Sequence, residues 1–422
     1  MSESTVTSVA IVGASAAGVT AAFELRSIGF DGSVTLFDRD ALLPYERPPL
    51  SKALGRGTAE LLIPIASEQA YSEAAIDLHL GVGVTELDAR TRALHAGGQW
   101  RRFDRVLLAT GARPRQLPSI PAAASNVHAL RTAHDAVSLS ASLRPGRRLV
   151  VIGGGFIGLE VAAAATTAGA SVTIIEADMS PCHGVIGASV GARLHALHSS
   201  HGVEIRTGTR VISTSGSPDV HTIRLSTGES LAADVVVVAV GVEPNTELAE
   251  DCGAAVERGV IVDHTTATSI PGIFAAGDVA AQCPRLHHPR GGPIEHWTEA
   301  TAHGTSAAHA LLGRPITHGG VPFVWSNQFD HVFQMFGRPS ATDELIISPG
   351  ADRHQFRAFW IRHSVLVAAA SLSHAPVLAG ARNLIETAAR LDPRELSNPD
   401  IPLRDIARRA ARQRKAQLRN AS

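Results

Sequence analysis

Three glycines spaced Gly153-x-Gly155-x-x-Gly158, with an acid, Glu176, eighteen residues further on, form a pattern that can hold a pyrophosphate. Each glycine has a physical reason. Gly153 allows a tight turn, Gly155 lets a backbone approach phosphate oxygens, and Gly158 lets a helix pack closely on its strand. The helix N-terminus then faces the negative charge. A carboxylate at Glu176 suits hydrogen bonds from an adenosine ribose, favours a free 2′-hydroxyl and repels a 2′-phosphate. The pattern occurs a second time. Gly13-Ala14-Ser15-Ala16-Ala17-Gly18 precedes Asp38, and Gly13 and Gly18 stand 140 positions before Gly153 and Gly158. Here Ser15 replaces the middle glycine. Its hydroxyl could bond a phosphate, and an ordinary α/β turn is the alternative.

The elements that must position these loops are legible around them. Val150–Ile152 reads as a buried strand, Val161–Ala170 as a small-residue helix and Val172–Ile175 as a second strand. Ser8–Val12, Val19–Ile28 and Val34–Phe37 repeat that order. Two further strands end in small-residue turns where a backbone can cross close to a ligand: Phe103–Leu108 before Ala109-Thr110-Gly111, and Val235–Val240 before Gly241. The run Ile270–Val279 reads as a strand leading to Gly277-Asp278 at a helix start. Asp278 could cap that helix, or it could bond a ribityl hydroxyl or a phosphate-bound water.

Bulk properties bound the rest. The chain has 422 residues, 45% hydrophobic and 18% charged, with formal net charge −1. That describes a globular protein of several domains, with no basic field to bind nucleic acid. No run is apolar for long enough to span a bilayer, no signal peptide is recognisable, and the cytoplasm is the expected compartment. Cys182, Cys252 and Cys283 are widely spaced, with no C-x-x-C or C-x4-C pair.

Two fingerprints, the Ala109-Thr110-Gly111 turn and the late Ile273-Phe274-Ala275-Ala276-Gly277-Asp278 resemble the two-dinucleotide flavoprotein family that includes glutathione reductase. Within it, Pro44-Tyr45-Glu46-Arg47-Pro48-Pro49-Leu50-Ser51-Lys52 and Trp325-Ser326-Asn327-Gln328 resemble the ferredoxin, putidaredoxin and rubredoxin reductases that serve bacterial cytochrome P450 and dioxygenase systems. Asn327 departs from that subfamily's acid. The resemblance implies two Rossmann-like α/β domains, binding FAD and NADH, and a C-terminal α+β domain. The expected boundaries are 1–112 with 244–318 for FAD, 113–243 for NAD, and 319–422.

Disulfide reductases of this family carry C-x4-C where this chain has Arg47 to Lys52, so no thiol relay exists there. What remains is hydride transfer from NADH to FAD and exit of single electrons to a ferredoxin, expected to be acidic. The resemblance puts Lys52 near the flavin, paired with Glu160, where a fixed ammonium would favour added negative charge and orient the nicotinamide. The alternatives are a surface lysine and a first-turn acid facing the helix dipole. Arg47 and Trp297 are implied flavin contacts, against a solvated arginine and a core tryptophan. Arg39, Val84 and Arg131 are implied cofactor contacts by the same resemblance, and Phe156 and Ile157 join the NAD loop.

The chain is expected to be a monomer or homodimer. A redox-sensing protein resembling apoptosis-inducing factor and a direct quinone or small-molecule reductase remain as alternatives. His195, His198 and His201 suggest a polar helix face rather than a metal site, with His201 beyond the helix end. His287-His288 reads as a solvated loop. The basic tail, Arg404 to Arg419, reads as a solvated or disordered helix or as a docking surface.

Overall fold

The computed structural model describes residues 6–282, 292–316, 320–373 and 377–420, with side chains to 412. Cys283 and His287-His288 lie outside the described residues. The chain divides into two compact units. One comprises residues to Pro49, Leu62–Arg113 and Val242–Gly319; the other comprises Leu50–Leu61, Pro114–Gly241 and the chain from Gly320.

The first unit is built on a five-stranded sheet in the order Ile273–Ala275, Arg105–Leu108, Ser8–Val12, Ser33–Phe37, Ile76–His79. All pairings are parallel. These strands are near-continuous apolar runs because a parallel sheet is covered on both faces. The helix Ala16–Ser27 lies over one face, and the helix Trp297–Leu311 packs on it. Small residues set that approach. A Cβ on Gly304 would stand 2.3 Å from the Ala17 carbonyl oxygen. A three-stranded meander, Val84–Asp88, Ala93–Ala96 and Gln99–Arg102, adds to the unit's β structure, as do the paired short strands Val260–Val262 and Ala280–Gln282.

The second unit repeats the plan: Glu204–Arg206, Ser171–Ile175, Arg148–Ile152, Val235–Val238, Val127–His128, again parallel. It also holds a C-terminal antiparallel sheet ordered Phe323–Gln328, His331–Gly337, Val365–Ser373, Phe356–Arg362, Glu344–Pro349. Along His331–Gly337 burial alternates residue by residue, the two-residue period of a pleated strand. One face of this sheet shares a core with helices Ala381–Glu386, Pro393–Ser397 and Leu403–Asn420, through Phe359, Leu366, Leu384, Leu396, Leu403 and Ile406. The tail is therefore anchored at its start and is not simply solvated. Arg409 pairs with Glu395 at 2.7 Å and Arg408 with Asp405 at 3.4 Å. Arg414, Lys415 and Arg419 carry side chains outside the described residues. Among those described, no helix is long and apolar enough to cross a membrane.

The run after Ile273–Ala275 differs from expectation. Gly277–Val279 is a single 3-10 turn with Ala276 at its cap, and the chain goes straight into the strand Ala280–Gln282. Asp278 lies inside that turn and does not cap a longer helix. The helix begins at Trp297, capped by His296, whose Nδ1 accepts from the Thr298 amide at 3.3 Å.

Candidate functional site

In the first unit, Gly13 has φ +109°, and a Cβ there would meet the Ala109 oxygen at 2.2 Å, so only glycine makes this turn. The amide of Ala14 donates to Asp38 Oδ2 at 2.6 Å, and that of Asp40 donates to Oδ1 at 2.8 Å. Asp38 thus braces the loop and keeps lone pairs for a further donor. Ser15, the N-cap of Ala16–Ser27, makes no side-chain bond to the helix. Its hydroxyl accepts from Arg47 Nε at 3.0 Å. Ala14, Ser15, Asp38, Asp40, Tyr45 and Arg47 line one cleft. Arg39 is exposed beside Asp38. Val84 begins a meander strand and packs on the core through that end.

The turn Ala109-Thr110-Gly111 is clasped by Asn245. Thr110 Oγ1 donates to the Asn245 carbonyl at 2.7 Å, and Asn245 Nδ2 donates back to the Thr110 carbonyl at 2.8 Å. Gly277, at φ +78°, would bring a Cβ within 3.0 Å of the Ala17 Cβ. Its amide donates to the buried His303 at 3.3 Å. The Trp297 side chain is half-buried against the first core, so it packs as well as opening its helix.

The second unit builds its loop the same way. Gly153 has φ +104°, with the Ala239 oxygen 2.3 Å from an ideal Cβ. The Gly154 and Asp178 amides donate to the two oxygens of Glu176 at 2.6 and 2.7 Å. Around Gly155 an added Cβ would meet nothing within 4 Å. Gly155 caps Phe156–Thr167 without a side-chain bond, so the first-turn amides are open to an anion. Phe156 leans on Phe333, centroids 5.2 Å apart, while Ile157 is exposed. Gly241, at φ +97°, receives the Arg115 amide at 3.0 Å. The Arg131 amide donates to Asp135, within the capping box of Ala133–Ser142.

Glu160 and Lys52 come together in this unit. Glu160 is only 4% exposed, and Lys52 Nζ lies 2.8 Å from its Oε1. The same oxygen accepts from Ser326 Oγ at 2.5 Å and the Asn327 amide at 3.2 Å, while Oε2 accepts from Ser51 Oγ. Lys52 also lies 5.7 Å above the Trp325 ring. Glu160 is the fifth residue of its helix, past the first turn, so these partners, not the dipole, account for its burial. Asn327 contributes its backbone while its side chain is exposed. The departure from an acid at that position leaves the Glu160 contact intact.

Sequence reasoning missed Ser51, Ser326, Gln328 and His198 as a connected set, although three of them stand inside the quoted motifs. It also missed Gly154, whose added Cβ would lie 2.9 Å from Glu176 Oε2; the unbroken Gly153-Gly154-Gly155 run was the available signal. The histidines do not form a polar face. His195 is half-buried, His201 is the C-cap, and His198 is fully buried with Nε2 2.6 Å from Gln328 Oε1. Burial pulls the His198 pKa down to about 4. Cys182 is buried with its thiol 3.6 Å from the Gly154 carbonyl, and burial, with Glu176 and Glu160 nearby, pushes that thiol up. Burial raises Cys252 as well. Neither is a poised thiolate.

Residues 7–304 match the pyridine nucleotide-disulphide oxidoreductase family, and residues 323–407 match a reductase C-terminal domain. The chain is 36% identical to the ferredoxin–NAD(+) reductase component of the p-cumate 2,3-dioxygenase system of Pseudomonas putida, over 95% of this chain and 99% of that one. It is 34% identical to putidaredoxin reductase of the same organism, covering 98% and 99%. Among solved structures, the covalent putidaredoxin reductase–putidaredoxin complex matches with a TM-score of 0.91 at 32% identity, over 97% of this chain and 100% of that one. With twin braced glycine loops and these matches along nearly its whole length, the chain belongs to the pyridine nucleotide-disulphide oxidoreductase family.

Proposed function

We propose that this protein is an NADH-dependent, FAD-containing ferredoxin reductase that supplies single electrons to an iron–sulfur protein serving an oxygenase. One observation carries the reading. The short helix Pro49–Lys52, where a sulfur relay would need thiols, instead offers Ser51 and Lys52 to the buried Glu160. FAD, when bound, accepts a hydride and releases electrons one at a time. The first unit would hold it through Gly13 to Gly18, Asp38, Arg39, Arg47, Val84, Ala109 to Gly111, Gly277, Asp278 and Trp297. The loop from Gly153 to Gly158, with Glu176 and Gly241, would hold NADH, Arg131 would be a further cofactor contact, and the chain from 319 would form the third region. Glu160, itself held by Ser51 and Ser326, fixes the Lys52 ammonium, so its charge need not reorganise during reaction.

The acceptor is a small acidic iron–sulfur protein, the compartment the cytoplasm, and the chain a monomer or homodimer. Arg404 and Arg408, at 66% and 72% exposure, support an acidic partner. Because Ile406 and Ala407 are core residues, Arg404→Gln with Arg408→Gln tests docking more cleanly than deletion. A flatter salt dependence of ferredoxin reduction is the expected result. The main test is NADH-driven reduction of cytochrome c, rapid only when a ferredoxin is added. Turnover with a quinone and no protein carrier would favour a direct reductase. Slow turnover with NADH-dependent association would favour a redox sensor.

A further inference from the structure

Beyond the Lys52–Glu160 pair, hydrogen bonds continue into the interior. Ser326 Oγ donates to Glu160 and accepts from Gln328 Nε2 at 2.7 Å, while Gln328 Oε1 faces His198 Nε2 at 2.6 Å. Ser326, Gln328 and His198 are all fully buried. The helix His183–Ser200 supplies His198, and the strand Phe323–Gln328 supplies the other two. His198 Nδ1 has no partner among the described residues, and Phe329 packs against the ring at 5.0 Å.

The direction of this chain hinges on the imidazole. A buried N–H without an acceptor is rarer and costlier than a bare acceptor, so the unpartnered Nδ1 carries no proton and Nε2 does. Nε2–H then donates to Gln328 Oε1, which turns the amide nitrogen toward Ser326 and leaves the Ser326 proton for Glu160. With the proton on Nδ1, Nε2 would become an acceptor, the amide would reverse, and the Ser326 proton would turn toward Gln328, away from Glu160.

We propose that His198 is a positioning residue for the Lys52–Glu160 pair, its Nε2–H setting the orientation of Gln328 and so committing the Ser326 hydroxyl to Glu160. The inference deepens the proposed function and rests on it where rates are concerned. Its structural half does not need catalysis. FAD-loaded protein labelled with ¹⁵N-histidine, its His198 signal assigned by loss in H198Q, should show a neutral ring protonated at Nε2 from pH 6 to 8, roughly the range in which an unperturbed histidine titrates. An Nδ1–H tautomer or a charged ring overturns the proposal.

The kinetic half compares three variants by stopped-flow flavin reduction at saturating NADH. Glutamine places an amide nitrogen where Nε2 stands, asparagine places one where Nδ1 stands, and phenylalanine keeps only the shape. H198Q should retain the rate within about twofold, and H198N and H198F should lose about tenfold with NADH affinity and flavin content unchanged. A purely packing role would leave H198F best and the two amides alike, and that order overturns the proposal. If H198F does not fold, the H198Q and H198N pair decides. A wild-type flavin that NADH does not reduce refutes the proposed function, and the histidine spectrum still tests the chain of hydrogen bonds.

Discussion

At the first glycine loop the bracing acid is Asp38 and the residue it touches, Ala14, has a Cβ; at the second the acid is Glu176 and the residue is Gly154. Both amide-to-carboxylate distances are 2.6 Å. The longer glutamate crowds its loop residue: a Cβ on Gly154 would stand 3.4 Å from both Cβ and Cγ of Glu176 and 2.9 Å from its Oε2. Gly154 is not in the left-handed region, so its identity answers a side chain and not a backbone angle. Acid length and loop residue were therefore chosen together in each half.

The halves also diverge one turn into their helices. The position equivalent to Glu160 is Thr20, whose Cβ lies 3.0 Å from an ideal Cβ on Gly304. The first helix uses that place to pack on another helix, while the second uses it to hold a charge pair. At the strand starts, Asp104 accepts from the amides of Thr7 and Ser8 at 2.9 and 3.0 Å. Asp234 accepts from the Arg148 amide at 2.9 Å and its guanidinium at 2.7 Å. One tie uses hydroxyls and the other uses charge.

Substitutions can strain this pairing of halves. Gly13→Ala and Gly153→Ala should have the largest effect, about 3 kcal/mol or more each, from left-handed backbone and a carbonyl clash. Thermal melts with cofactor titrations should show flavin loss for the first and weakened NADH binding for the second. Lys52→Met should keep FAD yet slow reduction by NADH about a hundredfold, since Glu160 then lacks its cation; an unchanged flavin-bleaching rate would remove Lys52 from the chemistry. Gly154→Ala should cost about 1–2 kcal/mol, and adding Glu176→Asp should recover most of it. Urea melts that find the two changes additive would break the comparison.

Asp234→Asn should have the smallest effect, about 1 kcal/mol or less because the tie is partly solvated. The Arg148 guanidinium holds the Asp234 carboxyl down at about 2. A depressed acid stabilises above its unfolded pKa and loses that contribution as pH falls through its folded one. The difference between wild type and variant should therefore fade between about pH 4 and pH 2. It should also shrink with salt, unlike that of Asp104→Asn.

The glycine loops were readable because their signals are local: positive φ, a close carbonyl and an acid at the end of the second strand all act within one βαβ unit. The succession of strand, helix and strand in each half followed from the repeat. The Gly277-Asp278 turn was misjudged because a cap residue followed by apolar ones resembles a helix start, and only tertiary pairing makes Ala280–Gln282 a strand. His198 was invisible for a different reason. A histidine on a helix with His195 and His201 looks polar, and only the arrival of Gln328, 130 positions later, gives it a buried acceptor.

Glu160 collects partners from positions 51, 52, 326 and 327. During synthesis the carboxylate therefore waits for more than a third of the chain to be made before its last donors exist. A ribosome-bound fragment ending before residue 326 would have to keep that acid hydrated, and its helix would have no strand Phe323–Gln328 to close over it. Completion of the Glu160 hydrogen-bond set is thus a late event in biogenesis, one that ties the maturity of the helix after the second glycine loop to the emergence of the C-terminal sheet.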